Sequence, residues 1–231
     1  MSAAAEKKLT RKELLKTPDE FLTLSEKAYN YVVENSTKVL IGVLAVVAVI
    51  ALIVGFNYYR DYTAQKAIAA YDAAAATIPA AGETDPLKTK AAVEALEKFV
   101  AEYPDSQAAR FAMLDLAALQ YRQGQYQTAA EFYQKVLAGL KPAQDHLRPM
   151  ILDSLAYAYE SMEKYDLAAE TWEKILTLPK DTLQVQARLS LGRVYLTLGQ
   201  KDKAKAAYEA LIAQAPDSPQ AQLAKSKLSG L

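Results

Sequence analysis

Residues Val39 to Phe56 read VLIGVLAVVAVIALIVGF, eighteen positions with no charge, amide or hydroxyl. A helix of a water-soluble domain keeps a polar face, and nothing polar interrupts this run to supply one. As a helix it covers about 27 Å, and extending it through Asn57, Tyr58 and Tyr59 brings it to about 31 Å, close to the thickness of bilayer hydrocarbon. Thirteen of the eighteen are Val, Ile, Leu or Phe, which contribute roughly −4 to −8 kcal/mol to insertion. The sequence therefore predicts one transmembrane helix over 39–59. A retained anchor is expected rather than a cleaved signal peptide. The run begins after 38 residues, and the bulky Phe56-Asn57-Tyr58-Tyr59-Arg60 follows it where small residues would have to sit.

Orientation follows from the basic residues. Lys27 and Lys38 on one side are matched by Arg60 and Lys66 on the other, but the wider tail adds Lys7, Lys8, Arg11, Lys12 and Lys16. That excess predicts a cytoplasmic tail and an external C-terminal portion. Within the tail, Thr17-Pro18-Asp19-Glu20 combines an N-cap residue with a proline at the first helical position, so a helix is expected to start there. Phe21, Leu24, Ala28, Tyr31 and Val32 then fall near one face, suited to the bilayer surface or to a partner. Asn35-Ser36-Thr37 is expected to break this helix before the span.

Taking the tail's seven basic and six acidic residues from the chain's 27 and 27 leaves 20 and 21 for residues 57–231. A net charge of −1 provides no basic stripe, so nucleic acid is not expected as a partner. With no cysteine there is no disulfide framework and no thiol nucleophile. The 175 residues beyond the span are rich in Ala, Leu, Lys, Glu and Gln with few β-branched runs, and are expected to be helical almost throughout.

Prolines recur at Pro104, Pro142, Pro179 and Pro216, at intervals of 38, 37 and 37 residues, the period of a helical hairpin. Between them one skeleton returns. It runs Leu116-Ala117, Gly124, Tyr126, Ala129, Tyr133, Val136; then Leu155-Ala156, Tyr159, Tyr165, Ala168, Trp172, Ile175; then Leu191-Gly192, Tyr195, Gly199, Ala204, Tyr208, Leu211, Pro216. Small residues allow close helix approach, an aromatic fills the space beside them, glycine suits the turn and proline stops the second helix. This pattern resembles the tetratricopeptide repeat. Three repeats are legible over 106–219, with departures at Gln120, where an aromatic is missing, at Glu163, where glycine is expected, and at Lys201.

Upstream, Lys88 to Tyr103 carries Ala92, Leu96 and Phe99 in matching positions. It reads as the second helix of a degenerate repeat whose first helix is the Ala-rich stretch from Arg60 to Ile78, with a Pro79–Pro86 loop between them. Residues 60–105 thus form a long helix and a degenerate repeat, and 220–231 a capping helix. The fold class expected is all-α, a single N-terminal transmembrane helix followed by a tetratricopeptide-like helical-hairpin superhelix.

No enzymatic constellation is present. The one histidine, His146, falls in the Pro142–Pro149 linker as an exposed loop residue, and no Gly-rich phosphate loop, nucleophile elbow or paired zinc spacing occurs. No catalytic residue, metal, cofactor or small-molecule substrate is expected.

The resemblance implies that the first helix of each repeat lines a concave groove. Groove-facing spacing then selects Phe111, Leu114, Ala118 and Tyr121; Met150, Asp153, Tyr157 and Glu160; and Gln186, Leu189, Arg193 and Leu196. Family members that clamp a terminal carboxylate do so with Lys, Arg and Asn at these positions. Here only Arg193 is cationic, so the expected ligand is an apolar segment held by aromatic anchors. The alternative is that the helix after Arg60 fills the groove. Ala48, Ala51 and Gly55 form a small-residue face on the span that would suit another helix, although alanines are common in such spans.

A single anchor, a short inner tail and an external tetratricopeptide-like domain together resemble the bacterial family of ancillary Sec translocon subunits, although the tail is longer and more basic than that family's. The resemblance implies a scaffold in the inner membrane with a periplasmic repeat domain, whose partners are translocon subunits, a membrane-anchored chaperone or unfolded clients. A scaffold for cell division or outer-membrane assembly shares every feature, and a regulator of an envelope enzyme is the more distant alternative.

Overall fold

The computed structural model describes residues 20–80, 82–83, 85–179 and 183–231. The described elements are α1 (Glu20–Glu34), α2 (Ser36–Ala75), α3 (Pro86–Glu102), α4 (Gln107–Arg122), α5 (Tyr126–Ala138), a short 3-10 helix (Pro142–Leu147), α6 (Arg148–Ser161), α7 (Tyr165–Leu176), α8 (Leu183–Thr197), α9 (Lys201–Gln214) and α10 (Pro219–Leu228). No strand occurs among the described residues. The expected cap at Thr17, Pro18 and Asp19 lies outside them.

The expected break before the apolar run is confined to Asn35. Its N–H donates to Tyr31 O at 2.9 Å and its own carbonyl accepts from Val39 N–H at 3.0 Å, while Asn35 Nδ2 also donates to Tyr31 O at 3.2 Å. A short amide that bonds back onto the preceding turn supports the helical ladder instead of competing with it. A second difference concerns the span, expected as an element distinct from the stretch after Arg60. Both belong to α2, which runs unbroken for 40 residues, about 60 Å. No proline and only the isolated Gly42 and Gly55 occur within it, so nothing stops propagation where the composition changes. α2 is the one helix among the described residues long and apolar enough to cross a membrane, and none of its apolar window is buried.

The chain divides into two compact units between Tyr62 and Thr63. In the second, successive helices pair as hairpins and build a tetratricopeptide-like superhelix. The first hairpin joins the end of α2, which buries Ala67 and Ala74, to α3, which buries Ala92, Leu96 and Phe99. Their core continues through Leu116, Leu119, Val136 and Ile151. A second cluster gathers Trp172, Ile175, Leu191, Val194, Tyr208 and Leu211, and the half-buried Leu137 and Tyr159 pack against both. α10 closes the series with Ala221 and Ala224 fully buried.

Local signals set where helices begin and end. Asp85 caps α3 by accepting from Leu87 N–H at 2.9 Å with Pro86 in the first turn. Ser106 caps α4 through Ala109 N–H at 3.0 Å, and Ser218 caps α10 through Ala221 N–H at 3.1 Å. Within hairpins the turns repeat one hydrogen bond, Gln125 N–H to Gln120 O at 2.9 Å, Lys164 N–H to Tyr159 O at 2.9 Å and Gln200 N–H to Tyr195 O at 2.8 Å. This closure requires a left-handed residue. Gly124 (φ 78°) and Gly199 (φ 72°) supply it, and in the middle repeat Glu163 takes φ 59°.

Helices approach closely in the last repeat, where a methyl group added to Gly192 would lie 2.6 Å from Tyr208 Cδ1 and nearer still to Cε1. Tyr208 is 1% exposed and has no room to retreat. Gly192→Ala is therefore expected to destabilise the fold by about 1–3 kcal/mol through overpacking. Glu163→Gly should instead stabilise it by about 1 kcal/mol by removing the left-handed penalty. Chemical denaturation of both variants beside the parent chain checks the two signs.

Candidate protein-interaction surface

First helices of successive repeats are tied side to side by polar contacts, and five of the twelve residues expected to line a groove, Tyr121, Tyr157, Glu160, Gln186 and Arg193, take part. At the N-terminal end, Tyr71 of α2 donates to Asp115 Oδ2 of α4 at 2.7 Å, and its ring lies 6.5 Å from that of Phe111 and 5.8 Å from that of Phe99. Between α4 and α6, the Tyr121 and Ser161 hydroxyls lie 3.0 Å apart. Between α6 and α8, Gln186 Nε2 donates to Tyr157 Oη at 2.8 Å, and the Ser190 hydroxyl lies 3.3 Å from the same oxygen. Arg193 of α8 forms an ion pair with Glu160 of α6.

The middle repeat holds the densest cluster. The Trp172 indole N–H donates to Asp153 Oδ1 at 2.8 Å, the Tyr157 ring meets Trp172 edge-on at 5.2 Å, and the Arg193 guanidinium sits 6.0 Å from the Trp172 ring centre. Trp172 is fully buried, so its N–H must find an acceptor, and Asp153 is the group supplied. Burial pushes the Asp153 carboxyl above the usual range for aspartate, while the Trp172 N–H pulls it part of the way back. Asp115 is raised for the same first cause and lowered by Tyr71. The Tyr71 and Tyr195 hydroxyls are held well above the usual tyrosine range, chiefly by burial and then by the neighbouring Asp115 and Glu173 carboxylates.

Asp153, Tyr157, Glu160, Gln186 and Arg193 thus converge. Leu114, Leu189 and Leu196 are half-buried against the core. Ala118 and Met150 face solvent, Met150 with 47% of its surface exposed. Arg193, the one cation on the expected groove, already has Glu160 and Trp172 as partners. The stretch after Arg60 supplies Tyr71 beside Phe111, as the first helix of the first hairpin. Ala48, Ala51 and Gly55 are exposed, and nothing lies within 4 Å of a Cβ built at Gly55. Sequence reasoning missed Tyr71, Ser161 and Ser190 as groove contacts, since their roles depend on which residue the adjacent repeat presents. Trp172 was legible as the aromatic of its repeat, but its Asp153 partner was not. Among the described residues, no group of three or more His, Cys, Asp or Glu side chains is placed to hold a metal ion.

The raised Asp153 sets a sign for pH dependence. An aspartate whose pKa is higher folded than unfolded binds more protons in the native state between the two values, so its contribution to stability falls as pH rises through that window. Asp153→Asn keeps an acceptor for Trp172 and has no charge to desolvate. The difference in Tm between variant and parent should favour the variant most at neutral pH and narrow as pH falls to about 4. Thermal unfolding across that range measures it.

Among solved structures, similar folds include nearly identical TPR-like repeats assigned to a Podosopora anserina kinesin light chain, at 22% identity over 59% of this chain and 74% of that one, with a TM-score of 0.48. MamA is 22% identical over 62% of this chain and 80% of its own, with a TM-score of 0.48. BtubC from P. vanneervenii is 19% identical over 62% of each chain, with a TM-score of 0.48. No curated protein matches the sequence. The family model of the tetratricopeptide repeat-like domain matches residues 30–231, and the chain belongs to that family.

Proposed function

We propose that this protein is a membrane-anchored scaffold of the bacterial envelope, with its repeat domain in the periplasm, where it receives apolar segments of client or partner proteins beside the Sec translocon. Repeats of this family generally mediate protein–protein interaction, and the anchor confines that interaction to a membrane surface. The observation that carries the reading is α2, whose apolar stretch is exposed on every side and which continues to Ala67 and Ala74 in the repeat core. Exposed Val, Ile and Leu side chains over this length need lipid or protein around them. Tyr58, Tyr59 and Tyr62, all exposed at its end, suit the headgroup layer. Resemblance to ancillary translocon subunits supplies the partner class. Met150 offers an apolar contact on the inner surface, while Tyr157 and Arg193 hold the surface in shape.

Two measurements test this. The chain has no cysteine, so single-cysteine variants at Lys27 and Ser229 report orientation directly. An impermeant maleimide is expected to label Ser229→Cys in intact spheroplasts and Lys27→Cys only after permeabilisation, and the reverse pattern would overturn the topology. A photo-crosslinking amino acid at Met150 is expected to give adducts with translocating chains or translocon subunits. Adducts confined to division or outer-membrane assembly proteins would move the scaffold to that machinery.

A further inference from the structure

The charged residue least accounted for by the fold is Arg110. It lies in the first turn of α4, half-buried, beside Phe111. Among the described residues its Nε, shielded from solvent, has no hydrogen-bond partner, and its guanidinium forms no ion pair. An arginine cannot shed its charge, and leaving the shielded Nε–H without an acceptor costs free energy that a carboxylate oxygen would recover. Arg110 also lines an open cavity of about 270 Å³, together with Asp105, Phe111, Lys141, Gln144 and neighbouring residues of the 3-10 helix. Gln144 is 7% exposed and forms part of the wall.

We propose that this cavity receives an acidic side chain, Asp or Glu, of an extended partner peptide, with an adjacent apolar side chain resting on Phe111. Three features select that chemistry. The unpaired guanidinium presents a fork matched to a carboxylate. Arg110 and Lys141 against Asp105 leave one net positive charge among the charged lining residues, which suits a single carboxylate better than a dianionic phosphate. The volume is below that of a typical small-molecule pocket and suits one or two side chains. The nearby Arg148 is engaged with Asp145 at 2.6 Å and does not compete. The site lies at the α4 and 3-10 helix edge, apart from the contacts of Tyr157, Glu160 and Arg193. It rests on the reading of the repeats as a protein-binding scaffold.

The test uses the full chain in detergent with ¹⁵N-labelled arginine, following the Nε–Hε resonance that is absent from Arg110→Met. The probe is an acetylated, amidated pentapeptide, Ala-Phe-Glu-Leu-Ala, with versions carrying Gln or phosphoserine in place of Glu. The Glu peptide is expected to shift the Arg110 resonance saturably, with a Kd about tenfold below that of the Gln peptide, the factor one charge-assisted pair supplies. Lys141→Gln should weaken it about threefold. Equal affinity for the Glu and Gln peptides, or no movement of the Arg110 resonance, would overturn the proposal, and tighter binding of the phosphoserine peptide would overturn the choice of a singly charged ligand. Should Arg110→Met not fold, Arg110→Lys keeps the charge without Nε and is expected to lose binding about tenfold. Met150 adducts that persist while the peptide leaves Arg110 unmoved reject this site and leave the scaffold reading standing.

Discussion

The last three hairpins each close on a position of the first helix that has almost no side chain. In the last repeat Tyr208 presses so closely on Gly192 that a single methyl would collide with its ring. Trp172 and Tyr133 stand sixteen residues after Ala156 and Ala117, the spacing that separates Tyr208 from Gly192, and all four are buried. Burying an aromatic of this size supplies a large part of the apolar area each hairpin removes from water. Distance between the two helices sets where the first helix lies, and hence which residues meet the next repeat. The polar contacts along the inner surface inherit their geometry from that approach.

Those contacts change what the inner surface offers a ligand. Had Tyr121, Tyr157 and Arg193 been free, the groove would present a row of anchors. Instead their polar groups are spent on Ser161, on Ser190 and Gln186, and on Glu160. The neutral hydrogen bonds among them contribute about 0.5–1.5 kcal/mol each, and their larger effect is to hold adjacent repeats in register. Arg193 stands mainly as a clasp between α6 and α8. What remains open is apolar at Met150 and cationic at Arg110, on different parts of the same repeat series.

The repeat skeleton was legible because it rests on size and backbone freedom. Leu-Ala, Leu-Gly, turn glycine and stop proline each answer a steric demand that recurs every hairpin. Departures from it were legible too, and those at Glu163 and Gln120 have a visible structural consequence. Glu163 adopts the left-handed backbone its position demands. Gln120, where the other repeats carry Tyr159 and Tyr195, is buried with its Oε1 lacking a partner. The tyrosines there reach across to Gln134 and Glu173, a length the shorter amide lacks. Asn35 was misread because propensity weighs an asparagine as a breaker, whereas its side chain returned a hydrogen bond to the turn before it. The continuity of α2 past Arg60 was not legible, because composition changes there while the backbone has no reason to stop.

By itself the sequence determined the periodic pairing of helices, the core residues that pairing buries and one stretch too apolar for water. These follow from short-range periodicity and side-chain size, which act wherever the chain folds. Only the tertiary structure decided which inner-surface residues are consumed by the neighbouring repeat, that Trp172 draws on Asp153, and that Arg110 is left with an unmatched guanidinium beside a cavity. Those outcomes depend on side chains roughly one repeat apart in sequence. Their meeting is set by the packing distance and rotation between hairpins, quantities that no local pattern encodes.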